Sequence, residues 1–119
     1  MPTCNVNIDT INKTTNPATA TYSDGGGPGA VNASGDVDFR GAPPGGLDIA
    51  WTLNTGDTFH TDGFSVTVDG TSEITGSGTL SNDNKTLTIN DNDNDGLVYE
   101  YSLKLADNTV LDPKIYNRR

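Results

Sequence analysis

Leu47-Asp48-Ile49-Ala50-Trp51-Thr52-Leu53-Asn54 decides the fold class. Leu47, Ile49, Trp51 and Leu53 fall on one side of this stretch, and Asp48, Thr52 and Asn54 on the other. A period of two is that of a strand with one face in a core and one in water. The same alternation recurs in Phe64-Ser65-Val66-Thr67-Val68-Asp69 and in Leu97 to Leu105, where Leu97, Tyr99, Tyr101, Leu103 and Leu105 share a face and Glu100, Ser102 and Lys104 point to water. Val6 and Ile8 mark a first strand, Val37 and Phe39 another, Ile74 to Leu80 and Leu87 to Ile89 a hairpin, and Thr109 to Leu111 a last one.

Composition agrees with strands. Glu73 and Glu100 are the only glutamates and there is no Gln, so a helix surface has little to be made from. Asp, Asn, Ser and Gly favour turns, and the Thr, Val, Ile and Tyr residues fit a pleated sheet. Asp62-Gly63, Asp69-Gly70 and Asp95-Gly96 are expected to supply the positive-φ positions of tight hairpins. Gly25-Gly26-Gly27-Pro28-Gly29 and Gly41-Ala42-Pro43-Pro44-Gly45-Gly46 read as loops. Residues 1–119 are long enough for one hydrophobic core and too short for two. The expectation is a single all-β domain, an immunoglobulin-like antiparallel β-sandwich of about seven strands, with a small closed barrel as the alternative. Trp51 is expected in the core between the sheets.

Charge narrows the partners. Seven Lys and Arg stand against 16 Asp and Glu, a net charge of -9 and a pI near 4.1. Such a chain repels nucleic-acid backbones and anionic membranes, and no apolar run is long enough to span a bilayer. The first residues lack the basic and apolar regions of a signal peptide, so a soluble chain is expected, of unknown localisation. The single cysteine, Cys4, can form no disulfide within the chain; a small apolar side chain on the first strand is the expected role, a redox or dimerising thiol the alternative.

The most specific motif is Asp91-Asn92-Asp93-Asn94-Asp95-Gly96, which fits D-x-[DN]-x-[DN]-G, the opening half of a calcium loop. Ca²⁺ takes six to eight oxygens, and the carboxylates of Asp91, Asp93 and Asp95 with the carbonyl of Leu97 have the spacing of its first ligands. The twelfth position, where a bidentate Glu closes the shell, is Ser102, and Glu100 stands at the tenth. Asp24, Asp57, Asp62, Asp69 or Asp83 could complete the site from neighbouring loops. The plain alternative is a solvated hairpin loop.

Catalytic material is thin. His60 is the only histidine, with Asp57 and Asp62 nearby in sequence, and reads best as an exposed strand-end residue. Ser77 lacks the spacing of a nucleophile elbow, and Glu73 or Glu100 would need a cleft that a small sandwich scarcely offers. One His and one Cys do not make a catalytic zinc site.

At the C-terminus, Tyr99-Glu100-Tyr101-Ser102-Leu103-Lys104-Leu105 followed by Leu111-Asp112-Pro113-Lys114-Ile115-Tyr116-Asn117-Arg118 resembles the ending of the bacterial DP-EP family, in which a Y-x-Y-x-L strand precedes a D-P-x-I-x-N close. The resemblance covers the last third of the chain. It implies a small β protein of unassigned function with no catalytic constellation to carry over. Asp112-Pro113 should end the final strand, with Ile115 and Tyr116 folding back over a sheet edge or core end. Two functions follow as expectations: a non-catalytic interaction or self-assembling structural protein, binding a protein partner or its own copies, and alternatively a calcium-stabilised binding module for a glycan or cell-surface partner.

Overall fold

The computed structural model describes residues 3–15, 18–40, 46–66, 74–91, 98–112 and 114–116. These form β1 (Thr3–Asn12), β2 (Thr19–Gly26), β3 (Ala30–Val31), β4 (Val37–Asp38), β5 (Leu47–Leu53), β6 (Phe59–Val66), β7 (Ile74–Leu80), β8 (Thr86–Asp91), β9 (Val98–Leu105), β10 (Val110–Leu111) and β11 (Lys114–Tyr116). Seven of them, β1, β2 and β5 to β9, are six residues or longer; the rest are two or three. One sheet runs β2-β1-β5-β8-β7; the other runs β9-β11-β4-β3, with β6 and β10 also paired to β9. The two sheets pack face to face as the expected all-β sandwich.

The alternation in β5 is realised in rows across the first sheet. Val6, Trp51 and Leu87 are register partners on the inner face, and so are Cys4, Ile49 and Ile89. All six are at most 3% exposed. Facing them from the second sheet are Phe59, Phe64, Tyr101, Leu103 and Leu105, with Val37, Phe39 and Leu111 closing the core. Each fully buried Leu, Ile or Phe side chain contributes roughly 1.5–3 kcal/mol, and 20 buried hydrophobic residues among those described supply a core to a chain that is only 32% hydrophobic.

Four sequence expectations are corrected. The sandwich is not antiparallel throughout: β1 runs parallel to β5, and β11 parallel to β4. The reason lies in connectivity, since the chain visits β3 and β4 in the second sheet between β1 and β5. Asp62-Gly63 makes no hairpin turn; it lies within β6, where the register against β9 slips between Phe59 and Phe64. Tight turns are made instead by Asn84 (φ 56°) and Asn108 (φ 71°), whose short polar side chains tolerate the left-handed region. Gly25 and Gly26 belong to the end of β2 and not to a loop. Finally, residues 114–116 do not fold over an edge: β11 is inserted between β9 and β4, pairing Ile115 with both Tyr99 and Val37. The expectations for Asp69-Gly70, Asp95-Gly96 and residues 41–45 fall outside the described residues.

Candidate functional site

Lys13, just beyond β1, ties one end of the sandwich. Its ammonium donates to Asp57 Oδ1 in the β5–β6 loop and to Asp107 Oδ2 in the β9–β10 turn, both at 2.6 Å. The hydrogen bond from Lys13 holds both carboxyls below the usual carboxylate range, and the two bonds together push the Lys13 ammonium up. Beside it, Lys85 Nζ donates to the carbonyls of Thr55 (2.7 Å) and Asp57 (3.0 Å). Main-chain bonds from Phe59 N to Asn84 O and from Ala106 N to Thr58 O complete the lacing of these loops. The polar chemistry of this end is spent on holding loops together.

The other end carries Asp91. It closes β8, with Leu47 of β5 and Ile74 of β7 as register partners, and is 0% exposed. Among the described residues it is the only buried charged side chain. Asp93, Asp95 and Leu97, the other expected calcium ligands, lie outside the described residues, as do Asp69 and Glu73. Asp57 and Asp83 belong to the opposite end, Asp57 on Lys13 and Asp83 on the Ser81 hydroxyl in the β7–β8 turn, so neither serves Asp91. Among the described residues, no three His, Cys, Asp or Glu side chains converge as a metal site would require.

A third place is an open cavity of about 300 Å³ lined by Ala30, Val31, Asn32, Asp36, Asp38 and Arg40. Its wall is organised by Asn32, whose Oδ1 accepts the main-chain N–H groups of Ser34 and Asp36 (3.0 Å each) while Nδ2 donates to Asp36 Oδ2 (3.3 Å). That turn forces Gly35 to φ 86°, and the Gly35 carbonyl then accepts the hydroxyl of buried Tyr101 at 3.2 Å. The cavity wall is thereby pinned to the core. Asp38 holds Arg40 in a fork, Oδ1 to Nε at 3.0 Å and Oδ2 to Nη2 at 2.8 Å, and the same contact lowers the Asp38 carboxyl from its ordinary value.

Cys4 is a core residue: it is 0% exposed, and burial, with the Asp24 charge adding to it, pushes its thiol up to about 12. Such a thiol is neither a thiolate nor accessible, which removes the redox and dimerising alternative. His60 lies half-buried in β6, while Asp57 places its two oxygens on Lys13 and the Thr55 hydroxyl. Sequence reading missed the cavity altogether. Only the closely spaced Asp36, Asp38 and Arg40 signalled it, and such a run is common on solvated surfaces.

No helix among the described residues is long and apolar enough to cross a membrane. Compared with known proteins, the chain matches no family model and no curated relative.

Proposed function

We propose that this chain is a non-catalytic β-sandwich that works as a binding module for a protein partner, through its acidic surface. The observation that carries this reading is the disposition of charge. Lys13, Arg40 and Lys85, three of only seven basic residues, are turned onto the chain's own carboxylates and carbonyls. With 16 acidic residues in the chain, the outward field is strongly negative, which raises encounter rates with basic partners and repels copies of the chain itself.

Sheet margins favour a partner of another kind over edge-to-edge assembly of copies. At the margins of the first sheet, β2 and β7 both pair with register slips; in the second, β6 slips against β9 and β3 is two residues long. Bulged and very short edges are what keeps sheets from pairing with one another. The immunoglobulin-like kinship and membership of the DP-EP family belong to the same proposal, resting on strand number and on the C-terminal motif. Light scattering from micromolar to millimolar protein at physiological salt tests it: a monomer is expected throughout, and polymers would assign the chain to self-assembly instead.

One observation favours a second reading, a calcium-stabilised binding module for a glycan or cell-surface partner. Asp91, the first position of the D-x-[DN]-x-[DN]-G motif, is wholly buried, and buried carboxylates are paired, neutralised or bound to a cation. A ligand that binds only the folded state raises the melting temperature. Millimolar Ca²⁺ would raise Tm against EDTA in the native chain and not in Asp91→Asn; an unchanged Tm removes this reading.

A further inference from the structure

We infer that Asp24 is a site of spontaneous covalent modification, at which the chain closes a succinimide ring onto Gly25 and ages to isoaspartate. The reaction needs a carboxyl held against the following peptide nitrogen, no side chain on the residue that provides that nitrogen, and room for the main chain to turn. Asp24 Oδ1 accepts the main-chain N–H of Gly26 at 2.8 Å. That bond closes an Asx-type ring over the Asp24–Gly25 peptide and sets the carboxyl carbon beside the Gly25 nitrogen. Gly25 carries no Cβ to obstruct attack, and both residues are exposed. Room is provided by a bulge at the margin of the first sheet: the β1–β2 register passes from Asn5 opposite Gly26 to Val6 opposite Asp24, and Gly25 is the extra residue.

Among the described residues no other aspartate combines these features. Asp38, Asp83 and Asp107 each accept the main-chain N–H two residues on, but Phe39, Asn84 and Asn108 follow them and crowd the attacking nitrogen. Asp62 precedes Gly63, but Gly63 is buried within β6, where even a Cβ would stand 2.9 Å from the His60 carbonyl oxygen. That packing leaves the main chain no space to turn.

The step is self-contained. The Gly25 nitrogen attacks Asp24 Cγ, a C–N bond forms, and the amide proton leaves with the carboxyl hydroxyl as water. Water then opens the ring at either carbonyl. Cleavage at the side-chain carbonyl regenerates aspartate; cleavage at the main-chain carbonyl gives isoaspartate, in which the chain runs through Cγ. The product lengthens the main chain by one carbon where β2 already carries an extra residue, so pairing on either side of the bulge persists.

Peptide mapping of the full chain, aged at neutral pH both folded and in urea, tests the inference by the ratio of isoaspartate at residue 24 to that at residue 62. In the folded chain residue 24 should react faster by about tenfold or more, because holding the reacting atoms in place sets the rate. In urea the two Asp-Gly pairs should react alike. Asp24→Asn keeps the Oδ1 acceptor and makes ammonia the leaving group, so the same ring should close faster and be read as the mass gain of deamidation. Asp24→Glu should abolish the product, because its ring would have six members. No isoaspartate at residue 24, equal rates at 24 and 62 in the folded chain, the same ratio in urea, or an Asp24→Asn chain that keeps its amide would each overturn the inference.

Discussion

The indole N–H of Trp51 donates to the hydroxyl of Tyr101 at 3.0 Å, across the middle of the sandwich. Trp51 belongs to β5 of one sheet and Tyr101 to β9 of the other, and both are at most 1% exposed. Their ring centroids are 5.0 Å apart, and Phe64 stacks on both at 5.6 and 5.7 Å. The hydroxyl in turn donates a hydrogen bond to the Gly35 carbonyl at 3.2 Å, so one buried oxygen joins both sheets and the β3–β4 turn.

Tyr101→Phe keeps the ring and removes that junction. A buried indole N–H and a buried carbonyl then lack a partner, which costs about 1–3 kcal/mol. Urea unfolding followed by Trp51 fluorescence should show the lower midpoint with an unchanged slope. An equal midpoint would mean that water replaces the hydroxyl.

Gly35→Ala should destabilise the chain at least as much. A Cβ there would stand 2.6 Å from the Tyr22 ring, and at φ 86° any L side chain is strained by a further ~1–3 kcal/mol. Thermal unfolding of Gly35→Ala beside Gly56→Ala provides the contrast, because a Cβ at Gly56 meets nothing within 4 Å.

Lys13→Met should lower Tm at neutral pH, and the deficit should depend on pH in a set direction. Asp57 and Asp107 have folded-state carboxyls below the ordinary range, so their stabilisation is present above the unfolded value near about 3.9 and is lost as pH falls through the folded values. Lys13 is raised, so its share persists through the ordinary lysine range and is lost above it. The gap between native and variant chains should therefore be constant from neutral to mildly acidic pH and close at the acid end. It should also shrink in high salt, because all three side chains are partly exposed. A gap indifferent to acid would contradict the assignment.

Cys4 should resist alkylating and disulfide-exchange reagents in the folded chain at pH 8 and react at once when the chain is denatured. Its thiol is pushed up to about 12 and has no exposed surface. Rapid native-state labelling would show that β1 opens locally.

Truncation after Leu111 should lower stability steeply, by removing the strand between β9 and β4. With β11 gone, two strands lose their ladder partner and the β3–β4 unit loses its attachment to β9. A truncated chain that melts like the full one would show that β11 contributes no net stability.

Much of this was legible from residues 47–54 outward. Alternation placed Ile49, Trp51, Leu87, Tyr101 and Leu103 inside correctly, because a period of two leaves an apolar side chain only one favourable face. Turn composition was read less well: β2, with Gly25 and Gly26 in it, carries too few apolar residues to show a pattern, and the Asp62-Gly63 signal was overridden by pairing of β6 with β9. For the candidate site, sequence singled out Asp91 by its motif but held no sign that its carboxylate is buried, and the Asn32–Arg40 cavity left only the trace of closely spaced Asp36, Asp38 and Arg40, a run common on solvated surfaces.

The sequence by itself determined the class of structure, the core face of β1, β5, β8 and β9 and the acidity of the surface, since these follow from local periodicity and composition. Only the tertiary structure decided the parallel pairing of β1 with β5, the insertion of β11, and the meeting of Lys13 with Asp57 and Asp107 or of Trp51 with Tyr101 and Gly35. Those are contacts between residues up to 94 positions apart, formed by the packing that buries apolar surface from both sheets while giving inward polar groups such as the Trp51 indole a partner, and no local pattern encodes that choice.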